Sequence, residues 1–375
     1  MFNQKRCWAE ISLDNIEHNY RAIRATLPAG CRFLGVVKAD AYGHGAVPVA
    51  RRLEAAGADY LAVACLEEAM ELRDAGIKMP VLILGHTPPE FTPVLIDHDI
   101  TQAVTCESKA EEYAARAAAH GGTLKVHIKL DTGMSRLGFL CAGPHFSDGV
   151  ANVASACRLP GLYAEGVFTH FAVSDEPGEA NEAYTRRQFR LFTDMLDALE
   201  KLHGIRFDIR HCANSGAVLH YKETCLDMAR PGLLLYGYGD GGTLGLKPCM
   251  RFVSSISTIK HFDAGTDVSY GRTYTTKRVT RAGVLPVGYA DGLFRCLSGR
   301  CAFATPHGFA PQIGRICMDM CMVDLTELPE DDLGSEVELF GPRVDLETLA
   351  EAAGTIPYEL LCSVSKRVPR IYPDA

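Results

Sequence analysis

Lys38 stands directly after the apolar run FLGVV and opens the segment VVKADAYGHG, with Tyr42 four residues on. An amine at the end of such a run is partly withdrawn from water. Desolvation and any neighbouring cation both lower its pKa, which favours Schiff-base or general-base chemistry. Taken alone, a lysine there more commonly reaches out to solvent. Other residues at equivalent points along the chain shift that balance. Lys129 precedes DTGMSRLG, which carries Arg136, and His170 closes LYAEGVFTH. His211, Asn214 and Ser215 lie in HCANSG, and Arg230, Gly232 and Leu233 lie in ARPGLL. Ser215 and Gly216 at a helix start, with Arg230–Gly232 in the next loop, suit a phosphate held by backbone N–H groups and a hydroxyl. The plainer reading is a helix N-cap at Asn214 or Ser215. No acidic or thiol partner stands at ligand spacing from His170 or His211, so no metal site is expected, and each alone reads as a structural histidine.

These residues need a scaffold that brings strand ends together. Eight short runs rich in Val, Ile and Leu begin at Phe33, Tyr60, Val81, Ile100, Leu124, Leu162, Arg206 and Cys225. Amphipathic stretches separate them, among them NEAYTRRQFRLFTDMLDALEKLHG, in which Tyr184, Phe189, Phe192, Leu196 and Leu199 fall near a helical period and Gly204 closes the helix. Before the first run, Ile16, Tyr20, Ile23 and Leu27 also repeat at helical spacing. Eight βα units over this length fit a (β/α)8 TIM-type barrel, whose functional groups sit past the C-terminal ends of the strands. A doubly wound sheet is the competitor, but no GxGxxG turn follows any run. After YGYGDGGTLGLKP, with five Gly and one Pro in thirteen residues, the texture changes to β-type segments separated by Gly-rich turns. The expected organisation is α/β: a barrel over 10–240, then a mostly antiparallel β domain over 245–375, with residues 1–10 as candidates to pair with it. Barrels often bind phosphate after strands seven and eight, so a strand-end lysine in the same mouth points to pyridoxal phosphate, although aldolases meet the same description.

The 375 residues carry 38 Lys plus Arg against 46 Asp plus Glu, a net charge of −8. That excess argues against a nucleic-acid or anionic-membrane partner. No run is long enough to span a bilayer, and the N-terminus lacks a signal-peptide core. The fourteen cysteines are scattered without a CxxC pair, Cys317 and Cys321 coming nearest. They read as reduced, mostly buried thiols of a cytoplasmic protein.

The segments VVKADAYGHG, KLDTGMSRLG, HCANSGA, ARPGLLLYG, VSYGRTY, VGYADG and GRICMDM run in order from residue 36 to residue 320. Together they resemble the signature segments of the alanine racemase family, bacterial pyridoxal-phosphate enzymes of fold type III. The resemblance implies that Lys38 holds the cofactor as a Schiff base. Tyr42, Ser215, Gly232, Leu233 and Tyr358 (in IPYEL) match phosphate-binding positions, with Asn214 beside them. Arg230 matches the residue that bonds the pyridine nitrogen, supported by His170 and His211. Arg136 matches the contact to the cofactor's phenolic oxygen and the substrate carboxylate. Lys129 matches a lysine often carbamylated in the family. Tyr270 matches the second catalytic base, and Tyr289 and Met318 match substrate-site positions, with Asp319 beside them. The implied activity is interconversion of L- and D-alanine, which supplies D-alanine for peptidoglycan. The implied assembly is a head-to-tail homodimer with shared sites.

Racemisation removes a proton from one face of Cα and returns it to the other, so two acid/base groups on opposite faces suit it, here Lys38 and Tyr270. An Arg at the pyridine nitrogen, with a pKa above about 12, gives up no proton, which weakens the electron sink and restrains side reactions. The rival readings are a racemase of another small amino acid such as serine, a decarboxylase on the same architecture, and a non-catalytic pyridoxal-phosphate carrier. Carriers of that kind lack the second domain and its VSYGRTY tyrosine.

Overall fold

The eight apolar runs form eight strands in the computed structural model, which describes residues 6–239 and 242–373. Arg32–Val36, Tyr60–Val63, Val81–Ile83, Ile100–Val104, Leu124–Asp131, Leu162–Phe168 and Ile209–His211 pair in parallel, each with the next. Met228–Ala229 pairs back onto Arg32–Val36 and nearly closes the barrel. The last seam is bridged by Asp227 N–H to Arg210 O at 3.0 Å and Arg230 N–H to Ala213 O at 2.9 Å. Leu34, Leu61, Leu82, Val126 and Val167 are fully buried, as strands covered on both faces require.

The helices follow the periods in the chain, with two differences. Leu13–Arg24 starts under Ser12, whose hydroxyl accepts from Asn15 N–H, and it buries Ile16, Tyr20 and Ile23. It ends before Leu27, because Pro28 disfavours helical geometry in the residue ahead of it. Leu27 packs on the core from the turn instead. Glu179–His203 ends at Gly204 in the left-handed conformation. Its buried face is Thr185, Gln188, Phe192, Met195 and Leu199, so the stripe is rotated and partly polar. Gln188 explains this: it bonds Ala172 N–H and His170 O, and so fixes the loop after the sixth barrel strand.

The remaining chain builds a nine-stranded sheet in the spatial order Thr258–Phe262, Thr280–Leu285, Cys321–Asp324, Gly308–Ile313, Ala302–Thr305, Glu336–Phe340, Met250–Ser255, Cys7–Ile11 and Arg370–Ile371. Every pairing is antiparallel except that of Cys7–Ile11 with Arg370–Ile371. The N-terminal strand thus ties the barrel to the second sheet. A second tie is the helix Pro357–Ser363, which packs on the turn after the first barrel strand. There a Cβ on Gly43 would lie 2.5 Å from Leu361 O. Among the described residues no helix is long and apolar enough to cross a membrane.

Candidate active site

Lys38 begins a turn that L-residues avoid. Ala39, Asp40, Ala41 and Tyr42 all lie in the left-handed helical region, with φ between 53° and 54°. Such geometry costs roughly 1–2 kcal/mol per residue, so surrounding contacts must enforce it. Glu68 accepts from Ala39 N–H and Ala64 N–H, both at 2.7 Å, and so clamps the turn to the end of the second strand. Asp40 Oδ1 accepts from Ala46 N–H at 2.7 Å and closes the other side. Nothing in residue propensity announces this turn, and Glu68 escapes sequence reasoning with it.

The turn delivers Lys38 to a mouth crowded with cations. Burial first, and the charge of Arg136 next, hold the Lys38 ammonium below its ordinary value, with Glu68 opposing them. Burial, Arg136 and Arg230 push Lys129 down to about 8. His170 is pushed down to about 3, by burial and then by Arg230. Arg230 is itself fully enclosed and lowered to about 10, so it remains a cation at neutral pH. Arg136 stands exposed at the rim. Lys38, Lys129, Arg136 and Arg230 outnumber the carboxylates that act on them, Glu68 and Asp131, and such an excess of cations favours an anionic ligand.

A phosphate-sized cradle lies alongside. Ser215 Oγ accepts from Gly232 N–H at 2.9 Å, and Leu233 follows at the start of a short turn. A Cβ on Gly232 would fall 2.7 Å from Tyr42 Oη and 3.9 Å from Ser215 Oγ, so the absence of a side chain keeps this space open. Tyr358 packs its ring 5.7 Å from that of Tyr42. Asn214 does what the plainer reading expects: it caps the helix Ser215–His220 by accepting from Ala217 N–H, and its oxygen also accepts from Ser174 Oγ.

Behind the mouth, Arg230 Nη1 donates to His211 Nδ1 at 2.9 Å, and Nη2 to Thr169 O at 2.8 Å and His170 Nδ1 at 3.4 Å. His211 Nε2 meets His127 Nδ1 at 2.8 Å, and His127 Nε2 meets Glu165 Oε2 at 3.1 Å. His127 and Glu165 are absent from the sequence reading because they lie inside strands, where only the pairing geometry reveals their juxtaposition.

Tyr270, Tyr289, Met318 and Asp319 gather on the second sheet instead. Tyr289 N–H donates to Cys317 O and Ala290 N–H to Met318 O, both at 3.0 Å, which binds the two loops together. Buried Asp291 anchors them: it accepts from Gly288 N–H, Arg6 and Arg367, and Arg367 also reaches Asp319 at 2.8 Å. Tyr270 sits on a tight turn after Ser269, whose hydroxyl donates to Arg315 O at 2.7 Å. Tyr270 is 70% exposed, Met318 53% and Tyr289 43%. Among the described residues, no hydrogen bond or ring contact joins these three side chains to Lys38.

Comparison with known proteins agrees with both halves. Residues 11–240 match the family model for the alanine racemase N-terminal domain, and residues 249–372 match that for the C-terminal domain. An alanine racemase of Desulfovibrio desulfuricans is 43% identical over 372 residues, covering 98% of each chain. A solved alanine racemase of Clostridium difficile superposes with a TM-score of 0.92 at 38% identity, covering 98% of this chain and 96% of that one. The enzyme of a D-cycloserine-producing Streptomyces lavendulae gives the same TM-score and identity, covering 100% of this chain and 98% of that one. The chain belongs to the alanine racemase family, a family of isomerases.

Proposed function

We propose that this protein interconverts L- and D-alanine with pyridoxal phosphate at the barrel mouth, using Lys38 on one face of the substrate Cα and the partner subunit's Tyr270 on the other. The carrying observation is the meeting, at one barrel mouth, of a depressed lysine, an enclosed arginine and an open cradle at Gly232. Pyridoxal phosphate, when bound, supplies an electron sink that makes the α-proton of an amino acid removable. Its phosphate suits the donors of Ser215, Tyr42, Tyr358 and the backbone at Gly232 and Leu233, with Asn214 holding that helix start in place. Arg230 would hold the ring nitrogen, donating a hydrogen bond without yielding its proton. Arg136 takes the substrate carboxylate at the rim.

Lys38 suits its role because burial and then Arg136 lower its pKa, which favours the free amine. Lys129, at about 8, also has an appreciable neutral fraction. A neutral amine adds carbon dioxide and releases one proton, giving a carbamate. That anion beside Arg136 would offset the cations and fix the guanidinium.

Tyr270, Tyr289 and Met318 are placed to close the site of a second copy, in a homodimer whose sites are shared. Their exposure supports this, since an exposed apolar group of this kind marks an interaction surface. Fourteen unpaired thiols suit a cytoplasmic setting, and the D-alanine made there would feed peptidoglycan synthesis.

The test is an amino-acid panel followed by chiral chromatography on cofactor-loaded protein. Alanine should racemise fastest, and borohydride should trap the cofactor on Lys38 and abolish absorbance near about 420 nm. Faster exchange of serine would reassign the substrate. Cofactor absorbance without exchange of any amino acid would identify a carrier.

A further inference from the structure

The chain of hydrogen bonds behind Arg230 has one allowed direction. A guanidinium only donates and a carboxylate only accepts. Arg230 Nη1 donates to His211 Nδ1, so His211 carries its proton on Nε2 and donates it to His127 Nδ1. His127 is therefore protonated on Nε2, and it donates to Glu165 Oε2. Burial above all keeps both imidazoles below the ordinary histidine pKa, so the neutral forms prevail at neutral pH. Without an acceptor at Glu165, the buried N–H of His127 would be orphaned. Reversing both tautomers would relieve that, but it would set a His211 N–H against the donor of Arg230.

The backbone is shaped around this carboxylate. Between Leu124–Asp131 and Leu162–Phe168 the register shifts: Val126 faces Ala164, but His127 faces Gly166. Glu165 is the extra residue of a bulge, a device that re-aims a side chain. A Cβ on Gly166 would lie 2.7 Å from three ring atoms of His127, while its φ stays outside the left-handed region. The glycine therefore serves the imidazole rather than the backbone. Tyr60 Oη also donates to Glu165 Oε2, at 2.8 Å, and it receives from Thr101 Oγ1 at 2.9 Å, so the carboxylate is held from the second and fourth strands as well.

We propose that Glu165 is a positioning residue for racemisation: from within the barrel it fixes the tautomers of His127 and His211, and through them it aims Arg230 at the cofactor ring. This rests on the reading that Arg230 faces the ring nitrogen. Glu165 touches neither substrate nor cofactor, so its influence is on how Arg230 is held.

The test uses full-length protein with isotope-labelled histidine, cofactor-free and loaded with pyridoxal phosphate. Wild type is compared with Glu165→Gln, Glu165→Leu and Gly166→Ala. The imidazole NMR spectrum of the wild type should show His127 and His211 as Nε2–H tautomers even without cofactor. Gln presents a carbonyl oxygen in the same place, so Glu165→Gln should keep both tautomers and hold kcat within about threefold. Glu165→Leu and Gly166→Ala should lose the His127 Nε2–H signal and lower kcat by about tenfold or more, with KM for alanine changing less. A larger fraction of their turnovers should end in transamination. If Glu165→Leu does not fold, Gly166→Ala carries the same comparison. A wild-type His127 protonated on Nδ1, or folded variants with unchanged kcat and transamination, would overturn the proposal. If Arg230→Glu raises transamination and the Glu165→Leu and Gly166→Ala variants do not, the positioning role alone fails. If Arg230→Glu leaves transamination unchanged, the placement of Arg230 at the ring fails and the proposal fails with it.

Discussion

The barrel mouth and the exposed loops of the second sheet are built on opposite plans. At the mouth the groups are constrained, and apart from Arg136 at the rim largely enclosed: a left-handed turn clamped by Glu68 presents Lys38, and hydrogen bonds from four sides hold Arg230. On the second sheet the backbone is equally well tied, through Asp291 and Arg367, but the side chains it presents stand in solvent. Tyr270, Tyr289, Met318, Met320 and Ile356 are all exposed there. A rigid backbone that holds apolar side chains outward is shaped for a surface it does not itself contain. On the proposed reading, one chain holds the cofactor's cradle and only part of the reaction site.

The largest expected effects come from removing one base from each region. Lys38→Ala and Tyr270→Ala should each slow racemisation by about a hundredfold to ten-thousandfold. They should differ in deuterated water. Tyr270→Ala keeps Lys38 and should still exchange the α-proton of one enantiomer, read by mass spectrometry. Equal loss of exchange for both enantiomers would break the division of labour between the regions.

Stability should separate the regions next. His44, His127 and His211 are fully buried on the barrel side, and burial lowers each, His44 to about 4. The unfolded chain takes up protons near pH 6.5 that the folded barrel refuses, so stability is present above that pH and lost as pH falls below it. Between pH 6.5 and 5.5, His44 and His211 together should cost about 2 kcal/mol in urea unfolding. Acid unfolding that is insensitive to replacing His44 with Gln would contradict this account of the barrel.

Arg230→Glu should slow racemisation by about a hundredfold and raise transamination, because a carboxylate supports a protonated ring nitrogen where a guanidinium does not. Unchanged kinetics would remove Arg230 from the ring. The smallest effect belongs to Asn214→Ala, which removes a helix cap and should cost about 1 kcal/mol in unfolding free energy, with a modest loss of cofactor affinity.

Much of this was legible in the residues. The eight barrel strands stand out because Val, Ile and Leu runs buried on both faces have no other use in a chain of this composition. Lys38, Lys129, His170, His211 and Arg230 could be placed at strand ends, and the structure brings them together. The left-handed turn could not be read, because four successive non-glycine residues there go against every local preference and tertiary contacts alone enforce them. Glu165 was hidden for another reason: a bulge changes register without changing composition, so nothing in the strand's residue types marks this glutamate. Leu27 shows the reverse error, a helical period carried past the helix's end at Arg24 to the residue just before Pro28.

The account's central claim is that the two regions meet across subunits, Lys38 of one chain opposite the partner subunit's Tyr270. Mixing inactive Lys38→Ala and Tyr270→Ala proteins under conditions that exchange subunits tests it directly. In a mixed dimer, one site carries both defects and the other carries neither. Random exchange makes half the dimers mixed, each with one working site of two, so about a quarter of wild-type activity should return. If both residues act within one chain, every site keeps a defect. No recovery, with exchange confirmed by mass spectrometry of the mixed dimers, would contradict the shared site.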